Sequence, residues 1–561
     1  MITLDGHSLT IEQLAQIARD PGVGVRRDPS TDALVAKSEA LIAQVVDNYR
    51  RAYASGESLP TEYGVTTGFG EFKDKRIAPE DLEQLQRNVL LSHSVGVCGD
   101  GGYFDAEVVR AALVTRLNAF LKGHSGVRRT MVEIVEAMVN RGVIPLVPLK
   151  GSVGASGDLC PLAHTFAILL GVGQFYLYGD RLKPVLHEAS ELPAVLGFTA
   201  EQMKPTFKEG LALVNGVNYS AAMLALGVHD AEQLAEIADA SAALTLEAMC
   251  GCTRALDPKV QEVRGHPGQN RSAARMRELV EGSKLVESAA AVQDPYSIRC
   301  APQVHGASRD AIVFARAIAE REINAATDNP LFFPEGDAPF DLNFRANWPP
   351  AYRGDNRLAY SAGNFHGQPI AIAADLMAIA IAEFASIAER RIQTLLDGNH
   401  NRGLPRNLTS EPGVNSGLMI AQYTAASLVS ENKVLCHPAS VDSIPTSSNA
   451  EDHVSMSTHA ARKMRTVLRN AQNVIAIELM VAAQALDWRV GMSIDPTAPR
   501  REMSVKELKT TAVAQGIAPR LREIYQSVRK VSPTVTRDRA LSDDVRRIFE
   551  AFFSAGTRTR L

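Results

Sequence analysis

"YSAAMLALGVHDAEQLAEIADASAALTLEAMC", residues 219–250, has no proline and is apolar on nearly every side when wound as a helix. A helix facing water keeps one polar side. This stretch has none, which predicts a helix enclosed by other helices. Residues 306–327, 368–397, 416–435 and 451–488 repeat the pattern, and the first of these stops at "TDNP", where Pro330 forbids continuation. Several such helices need partners. The predicted fold class is therefore mainly α, with a long central helical bundle over 211–490 completed by further copies of the chain. Residues 1–210 differ: shorter helical patterns alternate with glycine-rich loops, where sites usually lie, so the chemistry is expected where these loops meet the bundle. "QFYLYGDRLKPV", 174–185, reads as one small hairpin, residues 332–360 as a long ordered loop, and 491–561 as a charged, peripheral helical cap.

Composition narrows the function. The 561 residues are 45% hydrophobic and 22% charged with a net charge of −4, so there is no basic surface field to recruit nucleic acid. The six cysteines are scattered, and Cys250 with Cys252 form C-x-C rather than paired zinc-ligand spacing. No metal site is expected, and the thiols read as reduced and structural. "MITLDGHSLTIEQLAQIARD" has acidic residues early and lacks a basic region followed by an apolar core. The most apolar run, 369–391, contains Asp375 and Glu383, too polar for a bilayer span. A cytoplasmic protein without a membrane partner is expected.

The unusual local feature is "GSVGASGDL", 151–159, in which Ser156 stands between Ala155 and Gly157. It is one residue too short for the G-x-S-x-G elbow of hydrolases. The chain also lacks G-x-x-x-x-G-K-[ST] and H-E-x-x-H. Backbone chemistry offers another route. Attack of the Gly157 nitrogen on the Ala155 carbonyl carbon closes a five-membered ring, and loss of two waters leaves an exocyclic methylidene, an electrophile. Small residues on both sides permit the compressed approach. Asp158 and "LCPLAHTFAILLG" look like a helix start with Pro161 tolerated in the first turn, and a helix N-terminus there favours negative charge developing on the ring.

"GSVGASGDLCPLAH", 151–164, resembles the prosthetic-group motif of the aromatic amino acid ammonia-lyase family, whose members form methylidene-imidazolone (MIO) from Ala-Ser-Gly. The resemblance continues in order through "YGVTTGFGEF" (63–72), "LQRNVLLSHSVGVCG" (85–99), "KEGLALVNG" (208–216), "QDPYSIRC" (293–300), "TDNPLFF" (327–333), "GNFHGQP" (363–369) and "EDHVSM" (451–456). It implies a helical bundle of the fumarase/ammonia-lyase type, an N-terminal MIO-bearing domain and a homotetramer whose sites draw on several chains.

The resemblance also assigns roles. Ala155, Ser156 and Gly157 would form MIO. Tyr63 matches the catalytic tyrosine, a phenol that needs a shifted pKa or a coupled acceptor to serve as base, in a loop whose glycines would let it close as a lid. Arg299 matches the arginine that grips the substrate carboxylate with a planar fork. Tyr296 would lie near the amine and MIO, Gln293 near the carboxylate, and Asn215 would bond the MIO oxygen. Phe365 would line the pocket.

Two positions bear on substrate. His93, after Ser92, aligns with the ring-recognition site, and "SHSVG" is similar to the histidine-directed branch, although some tyrosine aminomutases also carry Ser-His. Glu451 stands where tyrosine- and phenylalanine-directed relatives usually have glutamine. A carboxylate can accept an imidazole N–H, whereas a phenyl ring leaves it unpartnered. Read alone, Glu451 is equally an acid complementing a helix start. The expected reaction is deamination of L-histidine to trans-urocanate. A tyrosine or other aryl-amino-acid lyase or 2,3-aminomutase is the alternative, and a non-catalytic helical assembly the reading from another class. Two departures from the histidine-directed pattern stand out: Ala450 in place of glutamine, and the length of 332–360.

Overall fold

A computed structural model describes the chain except residues 58–61, 100–101, 180–184, 290, 334–358, 411, 492–515 and 555–561. Most of the 332–360 loop, the tip of the 174–185 hairpin and the beginning and end of the C-terminal cap therefore lie outside the described residues. The fold is mainly helical, and two compact units are built from discontinuous segments. One comprises Met1–Leu226, Arg316–Ala374 and Pro438–Arg462, the other Gly227–Ala315, Asp375–His437 and Lys463–Leu561.

The core of the first unit is the helix Ala106–Phe120, in which every residue from Val108 to Phe120 is buried. Three other helices of this unit pack on one another: Leu82–His93, Leu159–Ala167 and Glu209–Val214. Their termini matter more than their lengths. The first ends at His93, the second begins just after Ala155–Gly157, and the third stops just before Asn215. The strand Gln174–Leu177 pairs antiparallel with His187–Glu188, which lies beyond the expected 174–185 hairpin, and also with Val143–Pro145, a partner the sequence pattern does not reveal.

The enclosed helix spans Asn218–Ala248, and Tyr219–Val228 is buried without interruption. Other long helices run Ala301–Glu322, Gln368–Leu396, Met419–Leu435 and Ser457–Gly491. The first stops well before Pro330, and the Asn324 side-chain amide donates to the Glu320 carbonyl at its end. The last starts at Ser457 rather than 451, because Glu451 pairs with Thr446 across a short bridge and Met456 holds positive φ.

In the second unit, buried charges are paired rather than solvated. Arg391 donates to both oxygens of Glu478 (2.5 and 2.8 Å), and Thr245 donates to the same carboxylate. Gln368–Leu396 is long and apolar enough to cross a membrane, but about two-thirds of its most apolar window is buried in the protein, and its Asp375 pairs with Lys463. Two helices of the expected C-terminal cap, Pro519–Val531 and Ser542–Phe553, are present. The first buries Leu521, Ile524, Tyr525 and Val528 along one face.

Candidate active site

The segment around Ser156 is a tight, left-handed turn. Ser156 has φ +50°, Gly154 +79° and Gly157 +84°, and the Gly157 N–H donates to the Gly154 carbonyl at 3.3 Å. A short parallel bridge joins it to Gly216: the Gly216 N–H donates to the Ser156 carbonyl (3.1 Å), and the Asp158 N–H donates to the Gly216 carbonyl (2.7 Å). The two backbones are so close that a Cβ on Gly157 would sit 2.2 Å from the Gly216 oxygen. Glycine at 157 is thus demanded by contact as well as by φ.

Asp158, fully buried, ties this turn to three helix starts. Its own helix begins at Leu159. Its Oδ2 accepts from the Ser220 N–H and hydroxyl (both 2.9 Å) near the start of Asn218–Ala248, and its Oδ1 accepts from Thr458 (2.5 Å) at the start of Ser457–Gly491. Burial pushes the Asp158 carboxyl above the usual range, against these hydrogen bonds. Pro161 lies in the first turn of its helix, as expected.

Glu451 lies next to the turn, its Oε1 accepting from the Ser156 hydroxyl at 3.4 Å. It is not a helix-start acid, because the helix begins six residues later. It belongs instead to a small bridge: Thr446 and Glu451 exchange backbone hydrogen bonds, and the Thr446 hydroxyl donates to Oε2 (3.0 Å). The same segment holds the Tyr63 loop. Ser447 Oγ accepts from the Glu71 N–H, and Ser448 donates to the Glu71 carboxylate (2.5 Å).

Tyr63 accepts a hydrogen bond from the Gly70 N–H at 3.1 Å. Burial raises its pKa and the Glu451 charge adds to that, outweighing the Gly70 donor, so the phenol is held protonated. Glycines in this loop allow close approach: a Cβ on Gly64 would meet Leu211 at 2.4 Å. His93 closes its helix with Nδ1 3.0 Å from the Ser92 hydroxyl. Burial lowers its pKa, partly countered by Glu451, so the ring is neutral near pH 7.

Asn215 is buried, and its Oδ1 has no hydrogen-bond partner among the described residues. Its backbone carbonyl accepts from Arg116 Nη2 at 2.7 Å. Phe365 is half-buried in the turn preceding Gln368–Leu396. In the first unit Tyr63, His93 and Ser156 thus each lie within reach of Glu451, and Asn215 immediately precedes the glycine that bridges to the turn.

Gln293, Tyr296 and Arg299 belong to the second unit. Asp294 anchors their loop, accepting from the Cys252 N–H (2.6 Å) and from Arg402 (2.7 Å). Gln293 is exposed and Tyr296 is 72% exposed; the Arg299 guanidinium lies 4.5 Å from the Tyr296 ring centre, and its Nε is buried without a partner among the described residues.

Sequence reasoning missed Arg116, Asp158 as a side-chain hub, Thr446 and Thr458. Only Arg116 carried a signal, as one of two cations, with Arg110, inside the mostly apolar "VVRAALVTRLNAF".

The sequence pattern of the aromatic amino acid lyase family matches residues 9–516. The chain is 48% identical to the histidine ammonia-lyase of Gloeobacter violaceus over 491 residues, covering 87% of this chain and 88% of that protein. Among solved structures, histidine ammonia-lyase from Trypanosoma cruzi superposes with a TM-score of 0.80 at 35% identity, covering 98% of this chain and 93% of that one. Tyrosine aminomutase from Streptomyces globisporus gives 0.80 at 32% identity, covering 98% and 96%.

Proposed function

This chain belongs to the aromatic amino acid lyase family, and from that membership we propose that it removes ammonia from L-histidine to give trans-urocanate, using MIO formed by Ala155, Ser156 and Gly157. The peptide at 155–157 fits that group. It is a left-handed turn between small residues, it admits no side chain at 157, and the Gly216 N–H already donates to the Ser156 carbonyl, which would become the oxygen of the group. The group supplies an electrophilic carbon that takes up the substrate's nitrogen and makes it a leaving group.

The chain's own residues do the rest. Tyr63 takes the β-proton; the C–H pair becomes the new double bond while the Cα–N pair leaves with the amine. Held protonated by burial and by Glu451, the phenol needs a nearby cation to ionise, which the substrate's own ammonium brings. Glu451, fixed by Thr446, accepts the imidazole N–H, and neutral His93 offers the ring a second polar partner. In the proposed assembly another copy of the chain supplies Arg299 to grip the carboxylate, with Gln293 beside it and Tyr296 near the amine, while Phe365 packs on the ring and the Asn215 side-chain amide would bond the MIO oxygen.

The observation that carries the histidine reading is the Glu451 carboxylate 3.4 Å from Ser156 Oγ. Next to a phenyl ring it would be desolvated for nothing. Purified protein incubated with histidine, tyrosine and phenylalanine should release urocanate and an equal amount of ammonia from histidine. An arylacrylate from tyrosine or phenylalanine without urocanate overturns the substrate assignment, and a β-amino acid without free ammonia makes the enzyme a mutase.

We propose further that the chain assembles as a homotetramer. Supporting this, only Ala425 and Asn432 are buried in the whole of Met419–Leu435, and Ile372, Leu376 and Ile379 line one exposed stripe of Gln368–Leu396. Sedimentation of the purified protein tests it.

A further inference from the structure

Arg116 sits in the middle of the buried helix Ala106–Phe120 and is itself fully buried. Among the described residues no carboxylate bonds it directly. Its Nη2 donates to the Asn215 carbonyl (2.7 Å), its Cζ lies 5.5 Å from the Phe120 ring centre, and its Nε and Nη1 are buried without a partner among the described residues. Burying a guanidinium this way is costly, and its pKa is pushed down to about 10 by burial, against the more distant charges of Asp328 and Asp158. A cation kept under these conditions calls for a purpose beyond packing.

Connectivity supplies one. The carbonyl that accepts from Arg116 belongs to the Asn215–Gly216 peptide, and the N–H of that same peptide donates to the Ser156 carbonyl at 3.1 Å. Pulling charge toward one end of an amide makes its other end a stronger donor, since linked hydrogen bonds polarise one another in a low-dielectric interior. Gly216 permits the arrangement: a Cβ there would lie 2.6 Å from Arg116 Nη2.

We infer that Arg116 is a positioning residue that polarises the Asn215–Gly216 peptide so that its N–H stabilises negative charge on the Ser156 oxygen. The inference rests on the MIO reading above. When a nucleophile adds to the methylidene carbon, the displaced double-bond pair moves onto the oxygen that began as the Ser156 carbonyl, and water supplies the proton. A stronger donor at that oxygen speeds the addition.

Addition can be followed without turnover. Wild-type, Arg116→Met and Arg116→Lys chains are incubated with a small thiol, and intact mass reads both the two-water loss and the appearance of the adduct. The wild-type chain is expected to be dehydrated and to add thiol readily. Arg116→Met should be dehydrated but add thiol about tenfold more slowly, and Arg116→Lys, which keeps the charge, should recover part of the rate. A folded, dehydrated Arg116→Met chain reacting at the wild-type rate overturns the inference. Should Arg116→Met not fold, Arg116→Lys decides: slower addition at an unchanged melting temperature supports the relay, and the wild-type rate refutes it. A wild-type chain of full, undehydrated mass removes the MIO reading itself, and the relay with it.

Discussion

Gly157→Ala isolates the contact on which the turn depends. The new methyl would sit 2.2 Å from the Gly216 oxygen, and reaching an ordinary separation of 3.4 Å requires the two backbones to part by about 1.2 Å. That breaks the bridge, losing the Asp158 N–H to Gly216 and Gly216 N–H to Ser156 hydrogen bonds. Each contributes about 1 kcal/mol, and a left-handed alanine costs a further 1–2 kcal/mol or so, for a total of about 3–4 kcal/mol. If the strain falls on the conformer that closes the ring, closure slows about 10²–10³-fold. Gly171→Ala is the matched control: φ there is +76°, yet nothing lies within 4 Å of the added carbon, so only the backbone cost of about 1 kcal/mol applies. Intact mass gives the dehydrated fraction of each purified chain, and thermal unfolding gives the stability. The Gly157 variant should stay largely undehydrated and melt lower, while the Gly171 variant should be fully dehydrated. Equal dehydration of the two variants would show that the Gly216 contact does not govern closure.

Tyr63→Phe should keep the two-water mass loss and lower kcat by about 10²–10⁴, the usual contribution of a general base; retained activity would remove Tyr63 from that role. Glu451→Gln removes the charge that holds up the pKa values of both Tyr63 and His93, so both should fall in an NMR titration of labelled tyrosine and histidine, and unchanged values would contradict the proximity described here. Glu247 gives a pH prediction. Burial raises its pKa to about 7 from an ordinary 4.5, so the folded chain holds a proton that the unfolded chain has released. Its stabilising contribution, about 3 kcal/mol at most, is complete below the unfolded value and is lost as pH rises toward 7. Urea unfolding of Glu247→Gln should show a flatter pH profile across that window, and a profile parallel to wild type would refute it.

Helix existence and family membership were legible because both are carried by local stretches of sequence. A long proline-free stretch that is apolar on nearly every side, such as 219–250, has one physical solution, and the match of 63–72, 208–216 and 451–456 to one family is carried by contiguous residues. Boundaries and support were not legible. The start of the last long helix moved from 451 to 457 because Thr446 and Glu451 pair across a short bridge, a contact no periodicity announces. For the same reason Glu451 could be read equally as a helix-start acid until its partners were placed. The support under the turn, from Thr458 to Asp158 and from Arg116 to Asn215, joins residues 300 and 99 positions apart. Spacing along a chain carries nothing about such pairs.

The neighbourhood of Gly216 shows what this arrangement costs in stability and why it persists. A Cβ on Gly216 would touch Arg116 Nη2 at 2.6 Å and Thr327 Oγ1 at 2.8 Å. Thr327 Oγ1, Asn215 Oδ1 and two nitrogens of Arg116 are all buried without partners among the described residues. Each such group costs about 1–3 kcal/mol relative to a satisfied one, and apolar residues of the same shape would remove that cost. Stability alone would therefore favour a leucine-like core beneath the turn. On the MIO reading the arrangement meets a different demand: charge would appear at the Ser156 oxygen only during reaction, and the Gly216 N–H, polarised through Arg116, is a donor already oriented toward it. Such a site sacrifices ground-state stability because its hydrogen-bonding capacity is reserved for a species the resting chain does not contain.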